Sequence, residues 1–305
     1  MADLLLQGLE PRDILALGDA AARIGKSTLA RNLYNHVAQR NPHAMAAWSR
    51  LALLDHPRPR TLPMLDALNA LEKIGKPAQS PAVYVGEGLA TWLKTAPFAG
   101  DERFLEIANQ HADLSSGITG GWHWNLYTVA WAVQRAKDLA GDFVELGVFK
   151  GHTTSFVANY VGFAEWPKRW WLYDTFDGIP DDQLDPGWAG PNENQYRGTF
   201  SFEEVRDRFA AFPNITVTKG RVPEVLETVC PEAISFLHID MNNVTAETAA
   251  LEALYDRITP GGVIVFDDFG WLSAQAQREA ETAWFAAKGQ SVLSLPTGQG
   301  LFIKP

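Results

Sequence analysis

Two short apolar runs that end in acid constrain this chain most: Phe236-Leu-His-Ile-Asp-Met241 and Val263-Ile-Val-Phe-Asp-Asp268. Runs of β-branched and aromatic residues this short read as buried parallel strands. A helix-like stretch from Ala246 to Ile258, closed by Pro260-Gly-Gly262, separates them. The unit is therefore strand, helix, strand, and the two strands are expected to be neighbours in one parallel sheet. Ligands of open α/β sheets bind beyond the carboxyl ends of the strands, which is where Asp240, Asp267 and Asp268 fall. Three like charges on one rim repel unless a cation joins them, and an all-oxygen set suits Mg²⁺, Ca²⁺ or Mn²⁺ rather than zinc. The competing reading has Asp267 and Asp268 capping the helix that follows.

With 305 residues, 46% of them apolar, the chain can hold one large or two ordinary domains around a real core. A formal charge of −10 without a Lys/Arg cluster argues against nucleic acid or an anionic membrane as the main partner. The lone Cys230 excludes an intramolecular disulfide and a cysteine metal cluster, which fits a reducing cytoplasm. No basic leader and no apolar run near 18 residues is present, so neither a signal peptide nor a membrane span is expected.

The texture changes near residue 112. Residues 1–112 are rich in alanine and leucine at helical spacing and read as a helical domain. Its first part aligns with itself at a shift of 34 residues: Ile14 with Trp48, Leu17 with Leu51, Gly18 with Ala52, Tyr34 with Leu68 and Val37 with Leu71. That period resembles a tetratricopeptide repeat, and an isolated pair of repeats needs a neighbouring domain, a second subunit or a protein partner to pack against. The alternative is a set of unrelated helical hairpins. Gly25-Lys-Ser-Thr28 imitates the end of a P-loop, but Ala20 stands where its first glycine belongs and no strand precedes it.

From residue 113 to 305 the pattern alternates. Strands are expected at Asp142 to Leu146, Trp170 to Asp174, Ile215 to Lys219, Ile234 to Asp240 and Val263 to Asp267, with two more near Ser291 and Leu301. Helices are expected around Trp124 to Leu139, Thr153 to Tyr160, Phe202 to Phe209 and Ser273 to Lys288, which makes a doubly wound α/β domain. The first strand ends in Glu145-Leu-Gly-Val-Phe-Lys-Gly151. Gly147 and Gly151 permit a tight turn and a close ligand approach, while the helix that follows offers free N–H groups to an anion. This is not the three-glycine fingerprint that accommodates a pyrophosphate. The second strand ends in Asp174, an acid placed to accept the hydroxyls of a ribose. Together the two places suit a nucleoside that carries an amino acid, S-adenosylmethionine; an ordinary glycine turn beside a capping Asp174 is the alternative.

Six ordered blocks carry a family likeness: Gly141 to Gly151, Leu172 to Pro180, Val217 to Leu226, Ile239 to Asn242, Pro260 to Asp268 and Leu295 to Gly300. Over residues 115–305 the chain resembles the macrocin O-methyltransferase family of class I methyltransferases. The resemblance implies a seven-stranded, Rossmann-like sheet whose last strand is antiparallel, S-adenosylmethionine as methyl donor, and Mg²⁺ bound near a pair of acceptor hydroxyls. By match of motif, Glu145, Gly147, Gly151 and Asp174 would serve the donor, with Gly220 and Arg221 near its adenine and Asp240, Asp267 and Asp268 on the metal.

The resemblance also implies an aspartate general base two residues after Asp240, where this chain has Asn242. An amide accepts no proton at neutral pH. His238, on the strand face of Asp240, His152 and His123 are the alternatives, His238 being expected deeper in the core. The expected activity is metal-assisted O-methylation of a sugar, glycosylated natural product or similar polyol. Its competitor is a weakly active or non-catalytic adaptor that binds a protein through the helical domain, and Asn242 is the feature that feeds it. A nicotinamide oxidoreductase is disfavoured, because no tyrosine has a lysine four residues later. Acceptor choice is expected in the loop from Asp177 to Gly198, with Trp188 and Tyr196 as sugar platforms. Gly120-Gly-Trp-His-Trp124 is expected to form a flap or an aromatic seam.

Overall fold

The structure is a computed structural model that describes residues 6, 8–40, 44, 46–47, 50–51, 54, 84–86, 89–91, 94–115, 122–185 and 192–305. It divides into two compact units, residues 1–81 and 82–305. The first contains a helical hairpin of α1 (Pro11–Arg23) and α2 (Ser27–Arg40). Ile14, Leu15, Leu33, Tyr34 and Val37 form its buried seam. Gly18 is required there, because a Cβ would stand 2.3 Å from the Tyr34 ring. Tyr34 donates to Asp19 at 2.7 Å, and Arg50 closes on the same carboxylate at 2.8 Å, so the buried charge is both paired and hydrogen-bonded. Gly25, at φ +76°, ends α1, which accounts for the P-loop imitation. Trp48, Ala52, Leu68 and Leu71 of the second repeat copy lie outside the described residues.

The second unit starts with a short antiparallel hairpin, β1 (Tyr84–Gly86) and β2 (Leu89–Thr91), followed by α3 (Glu102–Gln110) and α4 (His123–Ala136). The boundary expected at residue 112 falls inside this unit. α3 buries Phe104 and Ile107 in the same core as Phe156 and Phe143, because its apolar face finds partners only across the chain.

The remaining elements alternate as β3 (Asp142–Leu146), α5 (His152–Val161), β4 (Trp170–Asp174), α6 (Phe202–Arg208), β5 (Ile215–Lys219), α7 (Glu224–Thr228), β6 (Ile234–Ile239), α8 (Val244–Leu254), β7 (Ile258–Phe266), α9 (Gln275–Ala287), β8 (Leu293–Ser294) and β9 (Gly300–Ile303). The sheet order is β5-β4-β3-β6-β7-β9-β8. The first five strands in that order are parallel, and β9 runs antiparallel between β7 and β8. The direction of winding therefore reverses between β3 and β6, the switch point at which doubly wound sheets open a crevice.

Strand alternation divides the core in two. Phe143, Phe236, Val263 and Val265 pack on one face; Val144, Leu146, Leu237, Ile239, Ile264 and Phe266 pack on the other. β7 is longer than the sequence suggests. Pro260-Gly-Gly262, expected to close the preceding helix, forms its irregular first half, where the register against β6 shifts and the Gly261 N–H donates to Lys304. Among the described residues no helix is long and apolar enough to cross a membrane.

Candidate active site

A cavity of about 380 Å³ opens at the switch point, lined at one end by Gly147, Val148, Phe149, Asp174 and Gly220 and at the other by Asp240, Asp267 and Asp268. Of the residues expected to serve the donor or the metal, all but Gly151 and Arg221 are on its wall, and of the expected proton acceptors Asn242 and His152 are there while His238 and His123 are not.

The first end is built from backbone. Gly147 has φ +84°, and a Cβ there would lie 1.8 Å from the Asp240 carbonyl oxygen. This glycine is thus needed where the β3 turn touches the end of β6. Gly151, at φ +79°, caps α5 and has Phe209 against it. The Asp174 carboxylate accepts from the N–H groups of Val148 at 2.8 Å, Phe149 at 2.9 Å and Phe176 at 2.7 Å. Phe149 and Phe176 have φ +49° and +50°, so these bonds hold two strained residues in place. Burial raises the Asp174 pKa, and the backbone donors oppose it. Gly220 donates to the Asp174 carbonyl at 2.9 Å. Arg221 turns away and clasps Asp182 at 2.8 and 2.6 Å, because successive residues after β5 alternate and Val222 takes the wall.

Side chains dominate the second end. Glu145 of β3 and His238 of β6 are register partners on one face of the sheet, and Val265 of β7 is the next. The Glu145 carboxylate accordingly meets His238 Nδ1 at 3.1 Å, and Thr154 of α5 donates to it. Asp267, two residues beyond Val265, brings Oδ1 to 3.8 Å from His238 Nε2, outside hydrogen-bonding range. Gln299 at 3.1 Å and Asn125 at 3.4 Å donate to the same oxygen. Burial works to lower the His238 pKa, but Asp267 and Glu145 outweigh it and lift the group to about 10. His238 thus sits between two carboxylates that favour its protonated form, and it is not on the cavity wall. Asn242 has φ +58°, a conformation asparagine tolerates, and its amide donates to Asp240 at 3.4 Å.

Burial first, then repulsion from Asp267, holds Asp240 and Asp268 well above the ordinary carboxylate range. Among the described residues no three acidic, histidine or cysteine side chains form a ready-made metal cage. The donor set nonetheless has the chemistry of a hard-cation site: all-oxygen ligands on one wall, with a mutual repulsion that a divalent cation relieves.

His152, the first residue of α5, lines the cavity, and burial pushes it down to about 4, so it is neutral. His123 packs instead near Phe98 and Phe104, with centroid distances of 5.4 and 6.1 Å. The loop after β4 contributes Gly178, Ile179, Gln183 and Tyr196 to the wall. Asn192 pins it through both its oxygen and its nitrogen to the Ile179 backbone, and the Tyr196 ring meets Phe149 edge-on at 5.4 Å. Pro186, Trp188, Pro191 and the pair Gly120-Gly121 lie outside the described residues. The sequence reading missed Asn125, Thr154 and Gln299. Only Gln299 carried a signal, within the Leu295 to Gly300 block.

Comparison with known proteins adds three findings. The model of a family described as Macrocin-O-methyltransferase (TylF) matches residues 100–289, more than half of the chain. Among curated proteins, 8-demethyl-8-(2,3-dimethoxy-alpha-L-rhamnosyl)-tetracenomycin-C 4'-O-methyltransferase of Streptomyces olivaceus is 26% identical over 144 residues, 44% of this chain and 55% of that protein. Demethyldecarbamoylnovobiocin O-methyltransferase of Streptomyces niveus is 26% identical over 143 residues, 44% and 54% of the two chains. The chain thus spans about half the length of the curated relatives it matches. The solved structure of the O-methyltransferase NovP aligns with TM-score 0.50 at 19% identity over 59% of this chain and 79% of its own, a likeness of fold.

Proposed function

From the premise that this chain belongs to the macrocin O-methyltransferase family, we propose that it transfers a methyl group from S-adenosylmethionine to a hydroxyl of a sugar or glycosylated natural product. The observation that carries this reading is the meeting, in one cavity, of the Gly147 turn steadied by Asp174 and the acids Asp240, Asp267 and Asp268. The acceptor oxygen forms a bond to the methyl carbon as the sulfonium–carbon bond breaks, giving a methyl ether and S-adenosylhomocysteine. No covalent enzyme intermediate is needed, and orientation within the cavity accounts for much of the acceleration. Bound Mg²⁺, held by Asp240, Asp267 and Asp268, would stabilise charge on the acceptor oxygen.

The hydroxyl proton needs a receiver. Asn242 is an amide and His238 is buried off the cavity wall between two carboxylates, whereas His152 lines the cavity with no carboxylate among the described residues hydrogen-bonded to its ring. His152 is our candidate. The relatives' printed names, a rhamnosyl tetracenomycin methyltransferase among them, support a glycosylated acceptor. The helical unit would serve for docking, in a homodimer or with a protein partner, and mass measurement in solution tests this.

Calorimetric titration with S-adenosylhomocysteine, in Mg²⁺ and then in chelator, is the primary test. We expect micromolar binding in both, with added heat when Mg²⁺ meets the loaded protein. Absence of binding in both conditions overturns the reading. One observation favours the adaptor alternative, Asn242 in place of an acid. Asn242→Asp separates the two: a large gain in methylation marks a decayed site, and a loss marks an amide suited to its own acceptor.

A further inference from the structure

Behind the acid-bearing strand ends, two helices bring together a pair of carboxylates that take no part in the chemistry above. Glu247 of α8 is 3% exposed and Glu281 of α9 is 1% exposed. Glu247 Oε1 accepts from the Met241 N–H at 3.1 Å, the Asn242 N–H at 3.0 Å and Gln277 Nε2 at 3.0 Å. Met241 and Asn242 follow Asp240 directly, and Asn242 has the left-handed φ that turns the chain into α8. Two successive N–H groups aimed at one oxygen form a small anion nest. In this structure a side-chain oxygen of the protein itself fills it.

Neither oxygen of Glu281 meets a donor, although its carboxyl packs against that of Glu247. Two buried carboxyls this close do not both ionise, so at least one of them keeps its proton. Burial accordingly pushes Glu281 up to about 7 and Glu247 well above the usual range. The pair can anchor the turn without placing two further full charges behind three aspartates.

We propose that Glu247 is the positioning residue of the acceptor end: it fixes the Met241–Asn242 turn, and thereby the direction of Asp240 and of the Asn242 amide, while Glu281 braces it from behind. The consequence for turnover rests on the methyltransfer reading, but the clamp does not. Substitutions separate its parts. Glu247→Gln keeps the accepting oxygen and offers Glu281 an amide donor. Glu247→Asp keeps the carboxyl but withdraws the oxygen by one methylene, and should fold more readily than an alanine variant.

Amide hydrogen exchange on the full-length protein is the test. In Glu247→Asp, exchange at Met241 and Asn242 is expected to rise by about tenfold or more while the 147–151 turn is unchanged, and Glu247→Gln is expected to exchange like the wild type. On any acceptor that the wild type methylates, Glu247→Asp should lose about tenfold or more in kcat with the donor KM unchanged, and Glu247→Gln should keep both. An unchanged turn in the aspartate variant, equal loosening in both variants, or a donor KM that falls apart with kcat would overturn the proposal. The expected exchange pattern in a protein that does not bind S-adenosylhomocysteine would support the clamp and remove the methyltransfer reading.

Discussion

The two ends of the cavity are made of different materials. At the Gly147 end the working groups are peptide N–H and C=O, and one carboxylate, Asp174, is occupied with three of them. At the Asp240 end the working groups are charged side chains from three strands, steadied by Thr154, Gln299 and Asn125. A backbone-built end tolerates changes of side chain but no change of chain path. The charge-built end does not tolerate the removal of one member of its balance.

The contrast can be broken most directly where the ends touch. Gly147→Ala adds a methyl group where 1.8 Å is available, in a backbone conformation that alanine adopts reluctantly, and is expected to damage both ends together. Its thermal melt should fall steeply and S-adenosylhomocysteine binding should vanish; a variant that melts like the wild type would show that the contact yields. Asp268→Ala is expected to act on one end alone. Methylation should be lost while donor affinity stays within about threefold, since the removed charge forms no part of the backbone end.

A smaller effect lies in the pH dependence of stability, where two histidines act in opposite directions. His238 has a folded pKa near 10, above the 6.5 of a free histidine. Its contribution is therefore complete below pH 6.5 and is lost as pH rises through about 10. His152, pushed down to about 4, weakens the fold as pH falls from 6.5 through 4, because the unfolded chain takes up the proton first. Melting curves should lose their alkaline slope in His238→Gln and part of their acid slope in His152→Gln; the reverse assignment would contradict the placement of both rings. The smallest effect is expected from Arg221→Ala. Its partner is Asp182, away from the cavity wall, so donor affinity should change by less than about twofold, as for a surface ion pair.

The same contrast explains what the sequence made legible. β3, β4 and β5 have the bounds expected, β3 and β4 because an inner strand leaves a continuous apolar signature and the edge strand β5 because its β-branched run is bounded by Asn214 and Gly220. Gly147 and Asp174 were visible as a turn and an acid at strand ends. The role of Gly147 was not, since the Asp240 carbonyl that excludes a side chain is 93 residues away in the register of another strand. α3 looked like the helices before it, and only its long-range contact with Phe156 places it in the second unit. Glu247 and Glu281 carry no mark in the sequence, because helical spacing does not tell which charged face a neighbouring helix will cover.

The contact between Gly147 and the Asp240 carbonyl works as a ruler. The turn after β3 and the first acid at the end of β6 are held at a separation fixed by atomic radii, with no side chain between them that substitution could lengthen or shorten. The loop that brings Gly178, Gln183 and Tyr196 to the same cavity forms no part of that contact, so its side chains can be redrawn without moving it. Such a division leaves the cavity free to change shape at the loop while the distance between turn and acid stays constant.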